Sequence, residues 1–440
     1  MTRDIISLLL IILASHSPLL CEAATLPAFA NSSSAIDSQW QTAAGRLASQ
    51  WRNPNDVLTI LMIIGGDVVQ KALAQLSGPR FVPVAFSFGW VSYSFSAVFA
   101  VFGDGSLMPS PTRSSTLINA RSGYRRTNQS WVLDRILRGV ESSHESMSAA
   151  LCVSVYRANP NRQLSSADWL WWSGLLTMLA QFILGVIPLA LGKDWTTFLV
   201  TMMGTGLALM TGSSTQWQRE KWGARIDKGT STYCLTRGNG FQHAIVVQNT
   251  TPGCLNLEDL AMLRKEGCSR GCKGFVAISA CLWVLLLISI AGLQHNTWFL
   301  LGVGCLGMVQ NVCVAAFPRQ PDAMGIPLEF VTEISGPKVM PVLQKTELQF
   351  PLVGAVLVKI FFNGRLRDDE KRFWEARVIE AESYSQKKEI SQGPQNQSRT
   401  SVVRPSGTPV RKTGLTDLHK SITTSAPGFL SAMPVRRNTR

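Results

Sequence analysis

WLWWSGLLTMLAQFILGVIPLALGKDWTTFLVTMMGTGLALMTG, residues 169–212, decides the fold. Residues 169–192 carry no charged side chain and exceed the ~20 apolar residues a helix needs to cross ~30 Å of hydrocarbon. Only Lys193 and Asp194 separate them from a second apolar run, 195–212. Two residues leave room for a turn, so the stretch reads as a helical hairpin that returns the chain to its starting side. The pattern recurs in FVAISACLWVLLLISIAGL (275–293) and WFLLGVGCLGMVQNVCVAAF (298–317), joined by Gln294-His295-Asn296-Thr297. Trp169, Trp171, Trp172, Trp195 and Trp298 stand at the borders of these runs, where an indole favours the headgroup level.

Composition agrees with membrane residence. Hydrophobic residues make up 46% of the 440-residue chain and charged residues 16%, against roughly 25% charged in soluble domains. The first 23 residues read as a signal peptide: Arg3, an apolar core from Ile5 to Ala14, and a small-x-small site at Cys21-Glu22-Ala23. An uncleaved anchor is the rival reading and would have to run on through Ser15-His16-Ser17-Pro18. Cleavage leaves residues 24–55 on the extracytoplasmic side, where Asn31 begins a glycosylation sequon, Asn-Ser-Ser.

Three polar segments, 103–167, 213–274 and 318–440, hold 8, 9 and 19 of the 42 lysines and arginines. The hairpins put all three on one side, and basic excess assigns that side to the cytosol. The remaining apolar stretch, 56–102, then sets the parity. FVPVAFSFGWVSYSFSAVFAVF (81–102) reads as the first clear transmembrane helix. Before it, MIIGGDVVQKALAQL (62–76) is apolar in its first half, while Asp67, Gln70, Lys71 and Gln75 share one arc of a helix in its second. Each charge would cost roughly 2.5–3.5 kcal/mol at a bilayer centre on insertion scales. Residues 57–76 are therefore expected to form an interfacial or re-entrant helix, leaving five true spans, or six if this segment crosses. Asp67, Gln70 and Lys71 form the candidate intramembrane polar site, with an alternative role as a self-neutralising pair at i,i+4.

The polar segments contain an α+β module. STYCLTR and FQHAIVV alternate around Gly238-Asn239-Gly240, a hairpin signal. Asn256 is placed to cap LEDLAMLRKE, which Gly267 ends; LEFVTEIS (328–335) alternates as a strand, and 366–382 reads as a helix. LVGAVLVKIFF (352–362) is too short to span and is expected to pack on the module or the membrane surface. Residues 318–390 complete the membrane-proximal module. From 391 to 440, eight basic residues face one acid, Asp417, and the tail is expected to be disordered and to rest on anionic lipid headgroups.

No enzymatic constellation stands out. Gly302, Gly304 and Gly307 spell GxGxxG, but inside an apolar run, where small residues serve close packing rather than a dinucleotide. Asp368-Asp369-Glu370 suits a helix N-terminus better than a metal, and His243 suits a structural hydrogen bond. The five histidines are scattered, and the cysteines outside the apolar runs read as reduced cytosolic thiols, Cys268 and Cys272 included. No cofactor, metal site or nucleic-acid surface is indicated.

WRNPNDVLTILMIIGGDVVQKALAQL (51–76), VPVAFSFGWVSYSFSAVFAVFGDGSLMP, DWLWWSG, LTRGNGFQHAIVV, LEDLA, NTWFLLGVGCLGMVQN and LRDDEKRFWEAR resemble a family of uncharacterised multi-pass integral membrane proteins of filamentous fungi. The resemblance spans residues 51 to about 378 and implies membrane residence and a single loop-built module. It implies no activity, cofactor or site residue. The chain is expected to be a non-enzymatic scaffold or sensor of the secretory pathway or plasma membrane, with protein partners engaged through its cytosolic module. A small-solute or ion transporter using Asp67 and Lys71 is the alternative, and a membrane-embedded enzyme the least supported.

Overall fold

A computed structural model describes residues 54–379, apart from 80, 104, 144–148, 161–166, 264–267, 294, 363, 365 and 378. The expected signal peptide, Asn31, Gly267 and the basic tail lie outside the described residues. In chain order the helices are α1 (Asn55–Ile63), α2 (Gly66–Leu76), α3 (Trp90–Phe102), α4 (Trp131–Ser143), α5 (Trp169–Gly192), α6 (Thr196–Gly212) and α7 (Thr215–Lys221). They continue with α8 (Leu257–Ala261), α9 (Arg270–Ala291), α10 (Thr297–Ala316), α11 (Val339–Gln349) and α12 (Val353–Phe361). The strands are β1 (Thr116–Asn119), β2 (Arg125–Thr127), β3 (Leu151–Ala158), β4 (Ser231–Thr236), β5 (His243–Asn249) and β6 (Leu328–Gly336).

Three helices, α5, α9 and α10, are long and apolar enough to cross a membrane. Helices α1 and α2 meet at a 52° bend and qualify together as a fourth crossing unit, while α3 and α6 are shorter apolar helices. Both hairpins form. Lys193 turns the first with φ 55°, and Asp194 accepts from the Thr196 amide at 3.0 Å and from Asn296 Nδ2 at 2.8 Å, tying the two turns together.

Residues 81–102 depart from the expected continuous helix. Only α3 is helical, and residues 81–87 adopt no regular secondary structure, with Val84 N donating to Val82 O at 2.9 Å. Pro83 disfavours helix at Val82 and supplies no amide hydrogen, and Gly89 takes φ 88°, which stops α3 from continuing backwards. This non-helical strand of chain enters the bundle alongside α5, α6 and α10. Val82 lies against Gly212, the Phe86 ring would meet a Cβ on Gly204 at 2.6 Å, and the Phe88 ring fills the space beside Gly304. Gly304 is twelve residues from the end of α10, so the strand penetrates about 18 Å at 1.5 Å per helical residue.

A non-helical backbone inside a helical bundle must find hydrogen-bond partners among side chains. Gln181 Nε2 donates to the Phe86 carbonyl at 2.6 Å and to Val303 O at 2.8 Å. Asn311 Nδ2 reaches Ala85 O at 3.1 Å and Ser87 Oγ at 2.7 Å, and Trp90 Nε1 donates to Ala85 O. The glycines of the GxGxxG match are packing residues, as expected, but two of them receive this strand rather than a second helix.

The six strands form one sheet in the order β2-β1-β4-β5-β3-β6, antiparallel except for the β3–β5 pair. Between β3 and β4 the chain runs through α5 and α6, and between β5 and β6 through α9 and α10. Segments from either side of each hairpin are therefore neighbours in one sheet, which sits at one end of the bundle. Alternation sorts the side chains: Ile118, Cys234, Ala244 and Val246 pack under α11, α12 and Trp374, while Leu117, Leu235, Ile245 and Val247 join the core shared with α4 and the bundle. The β4–β5 hairpin, the β6 strand and the Asn256 cap (Oδ1 to Asp259 N, 3.0 Å) form as the sequence predicts. Val353–Phe361 packs on the sheet, not beside the bundle helices.

Candidate functional site

The three residues of the sequence-predicted polar site separate. Lys71 Nζ lies 3.3 Å from Asp67 Oδ2, with the side chains 45% and 69% exposed. Gln70 turns the other way and donates to Leu107 O at 2.8 Å. Gln75, a turn further on, is buried, and its Nε2 donates to Phe317 O at 3.0 Å. The pair is an i,i+4 surface contact and the glutamines anchor α2; the three do not converge on a common space.

Charge does converge where the bundle meets the sheet. Arg319 is fully buried and grips Asp168, the N-cap of α5, through two 2.8 Å hydrogen bonds, while its Nη1 donates to Gln75 O at 2.6 Å. Lys221, 1% exposed, donates to Gln75 O at 3.2 Å and Ser77 O at 2.6 Å. Arg135 Nη2 lies within 3.2 Å of the carbonyls of Ala315, Ala316 and Phe317. All three cations face carbonyls that helix ends leave unpaired, where the macrodipole favours positive charge. Burial drives the Lys221 ammonium well below its usual range, and Arg319 adds to the effect.

Glu220, beside Lys221 on α7, accepts from Leu107 N at 2.7 Å, Met108 N at 3.1 Å and Ser106 Oγ at 2.5 Å. Gln218 donates to Gly78 O at 2.8 Å. This seven-residue helix therefore holds the ends of α2 and α3 as well as the chain entering the sheet. Sequence reasoning did not single out Lys221, Arg319 or Asp168, because 144 residues or more separate each from the groups it bonds in this junction. The available signal was an isolated charge beside an apolar border.

The remaining chemistry of the sheet is structural. Asp227 accepts from Tyr233 Oη at 2.8 Å, Asn249 Nδ2 at 3.2 Å and Asn256 Nδ2 at 2.8 Å, joining β4, β5 and α8. Burial pushes the Cys152 and Cys234 thiols up to about 12, far from the nucleophilic range. Cys268 and Cys272 correct the expectation of reduced thiols: they form a disulfide across the start of α9, Cα to Cα 5.8 Å. Asn128 and Asn249, both in sequons, are buried, and their amides are committed to Ser115 Oγ, Ser130 O, Asp227 and Leu255 O. Neither can carry a glycan in the folded protein, whichever compartment it faces. Among the described residues no group of three or more His, Cys, Asp or Glu is arranged to hold a metal. No protein-family model, curated protein or solved structure matches the chain.

Proposed function

We propose that the chain is a polytopic, non-enzymatic membrane scaffold or sensor whose sheet module is cytosolic and is its working surface. The observation that carries this reading is the single sheet drawn from three segments separated by two hairpins. Five crossings fit the geometry: the bent α1–α2 unit, α5, α6, α9 and α10, with residues 81–102 dipping into the bundle and returning. An odd number of crossings sets the module opposite residue 54. With a cleaved signal the module is then cytosolic, in keeping with its basic excess. The buried Lys221–Arg319–Asp168 junction gives a sensor a rigid link between module and helices. Transport through Asp67 and Lys71 has less support, since the pair projects from the surface and Gln181 and Asn311 of the bundle are spent on the inserted strand. An oxidised Cys268–Cys272 pair is unusual in the cytosol, so sidedness is the point to test.

Lys228→Asn makes the test. Residues 228–230 are exposed, and the substitution completes an Asn-Gly-Thr acceptor with Gly229 and Thr230. Compared with the parent, whose Asn31 sequon is on the extracytoplasmic side in this reading, the variant expressed in cells is expected to show no additional glycosidase-sensitive mobility shift. An additional shift would place the module in the secretory lumen and refute the cytosolic reading.

A further inference from the structure

Outside the junction, the sheet module carries a cleft that nothing in its packing uses. It encloses about 560 Å³ between α4, the loop before β1 and the β4–β5 hairpin, and its walls include Arg113, Arg138, Glu141, Phe241, Gln242 and His243. Behind it lies Arg237, whose side chain is 1% exposed; its Nη2 is 2.9 Å from Glu141 Oε2 and 3.9 Å from Asp134 Oδ1. Its guanidinium also stands 5.6 Å from the Phe241 ring centroid.

The balance of charge is the informative feature. Three arginines face two carboxylates, and Asp134, itself fully buried, already accepts the Thr112 amide at 3.0 Å. Neither Arg113 nor Arg138 has a hydrogen bond or ion pair among the described residues, and Nε and Nη1 of Arg237 are buried without a hydrogen-bond partner. Burial lowers the Arg237 guanidinium, and Arg113 and Arg138 act in the same direction by like-charge repulsion, while Glu141 and Asp134 oppose them. Glu141 and Asp134 offset two of the three guanidinium charges, and the charge left over suits an anion from outside. Arginine forks suit the tetrahedral oxygens of a phosphate, which accept two parallel N–H bonds. The exposed Phe241 ring offers an apolar wall to whatever carries it.

We propose that this cleft binds a phosphate group, with Arg113 and Arg138 as the contacting residues and Arg237 as a buried charge behind them. The site goes beyond the scaffold reading and holds whichever side of the membrane the module faces. The phosphate could belong to a soluble phosphomonoester or to a lipid headgroup, since α4 also touches the chain leaving α10, where a Cβ on Gly139 would lie 4.0 Å from Pro318.

The test uses the full chain in nanodiscs of neutral lipid, titrated calorimetrically with inorganic phosphate against chloride at equal ionic strength. Saturable binding is expected, weakened about tenfold for each arginine removed in Arg113→Ala and Arg138→Ala. Arg121→Ala, an exposed arginine on the β1–β2 turn, controls for general charge and should bind as the parent does. Repeating the titration in nanodiscs containing phosphatidate separates the sources: a weakened phosphate affinity there identifies the headgroup, and an unchanged one a soluble ligand. No saturable binding by the parent, or equal loss in Arg121→Ala, overturns the proposal.

Discussion

Gly307→Ala tests the inserted strand directly. A Cβ at this position would collide with the Phe86 carbonyl and lie 2.7 Å from Gln181 Nε2. The backbone of residues 85–87 cannot move aside, since Asn311, Trp90 and the Gly204 face hold it from other directions. Overpacking of this kind costs about 1–3 kcal/mol. Losing the Gln181 bond to Phe86 adds about 0.6–1.7 kcal/mol, the range measured for hydrogen bonds between membrane helices. Alanine's better helix propensity returns roughly 0.8–1 kcal/mol, which leaves a net loss of about 2 kcal/mol. Gly206→Ala in α6 is the matched control: no atom lies within 4 Å of its Cβ, so only the propensity gain remains. Thermal unfolding of both purified variants, followed by tryptophan fluorescence in detergent, should place Gly307→Ala below the parent and Gly206→Ala at or slightly above it. A Gly307→Ala protein that melts with the parent would show that the strand does not occupy this groove.

Two further outcomes follow from particular side chains. Glu347 is buried beneath α12, accepting Leu352 N at 2.7 Å and Ala355 N at 2.9 Å, and burial raises its carboxyl above the usual 4.5. The folded chain thus keeps this proton where the unfolded chain has lost it, a contribution present below about pH 4.5 and lost as pH rises through the folded value. Glu347→Gln should flatten the stability profile above about pH 4.5, where the unfolded carboxyl ionises first, and an unchanged slope would refute the assignment. Asp67→Asn with Lys71→Gln should cost less than about 1 kcal/mol, as befits an exposed ion pair; a larger drop in melting temperature would mean that the pair is covered.

The hairpins were legible because length and hydropathy alone decide them, and the β4–β5 turn because Asn-Gly between alternating runs has few other uses. Residues 81–102 were not, since hydropathy is blind to backbone conformation. Pro83 and Gly89 were the clues, and both are common enough in membrane helices to be read past. Helical periodicity put Asp67 and Lys71 on one arc and gave their i,i+4 pairing, but could not tell an outward arc from an inward one. In sequence, Gln181 and Gln310 are single polar residues within apolar runs. One holds the strand and the other donates to Ser173 Oγ at 2.8 Å; such partners appear only once chain segments distant in sequence are brought together.

The interleaving of strands and hairpins constrains how the molecule comes into being. β3 emerges from the ribosome before α5 and α6, yet its two neighbours, β5 and β6, are made only after one and then both hairpins. Until then β3 has open edges on both sides, and pairings this remote in sequence form slowly. Translation that halts near residue 317 would deliver every apolar helix while leaving β3 bare along one flank. Quality-control machinery would therefore meet a well-inserted protein with an adhesive, half-finished sheet, and chaperone demand should peak late in synthesis.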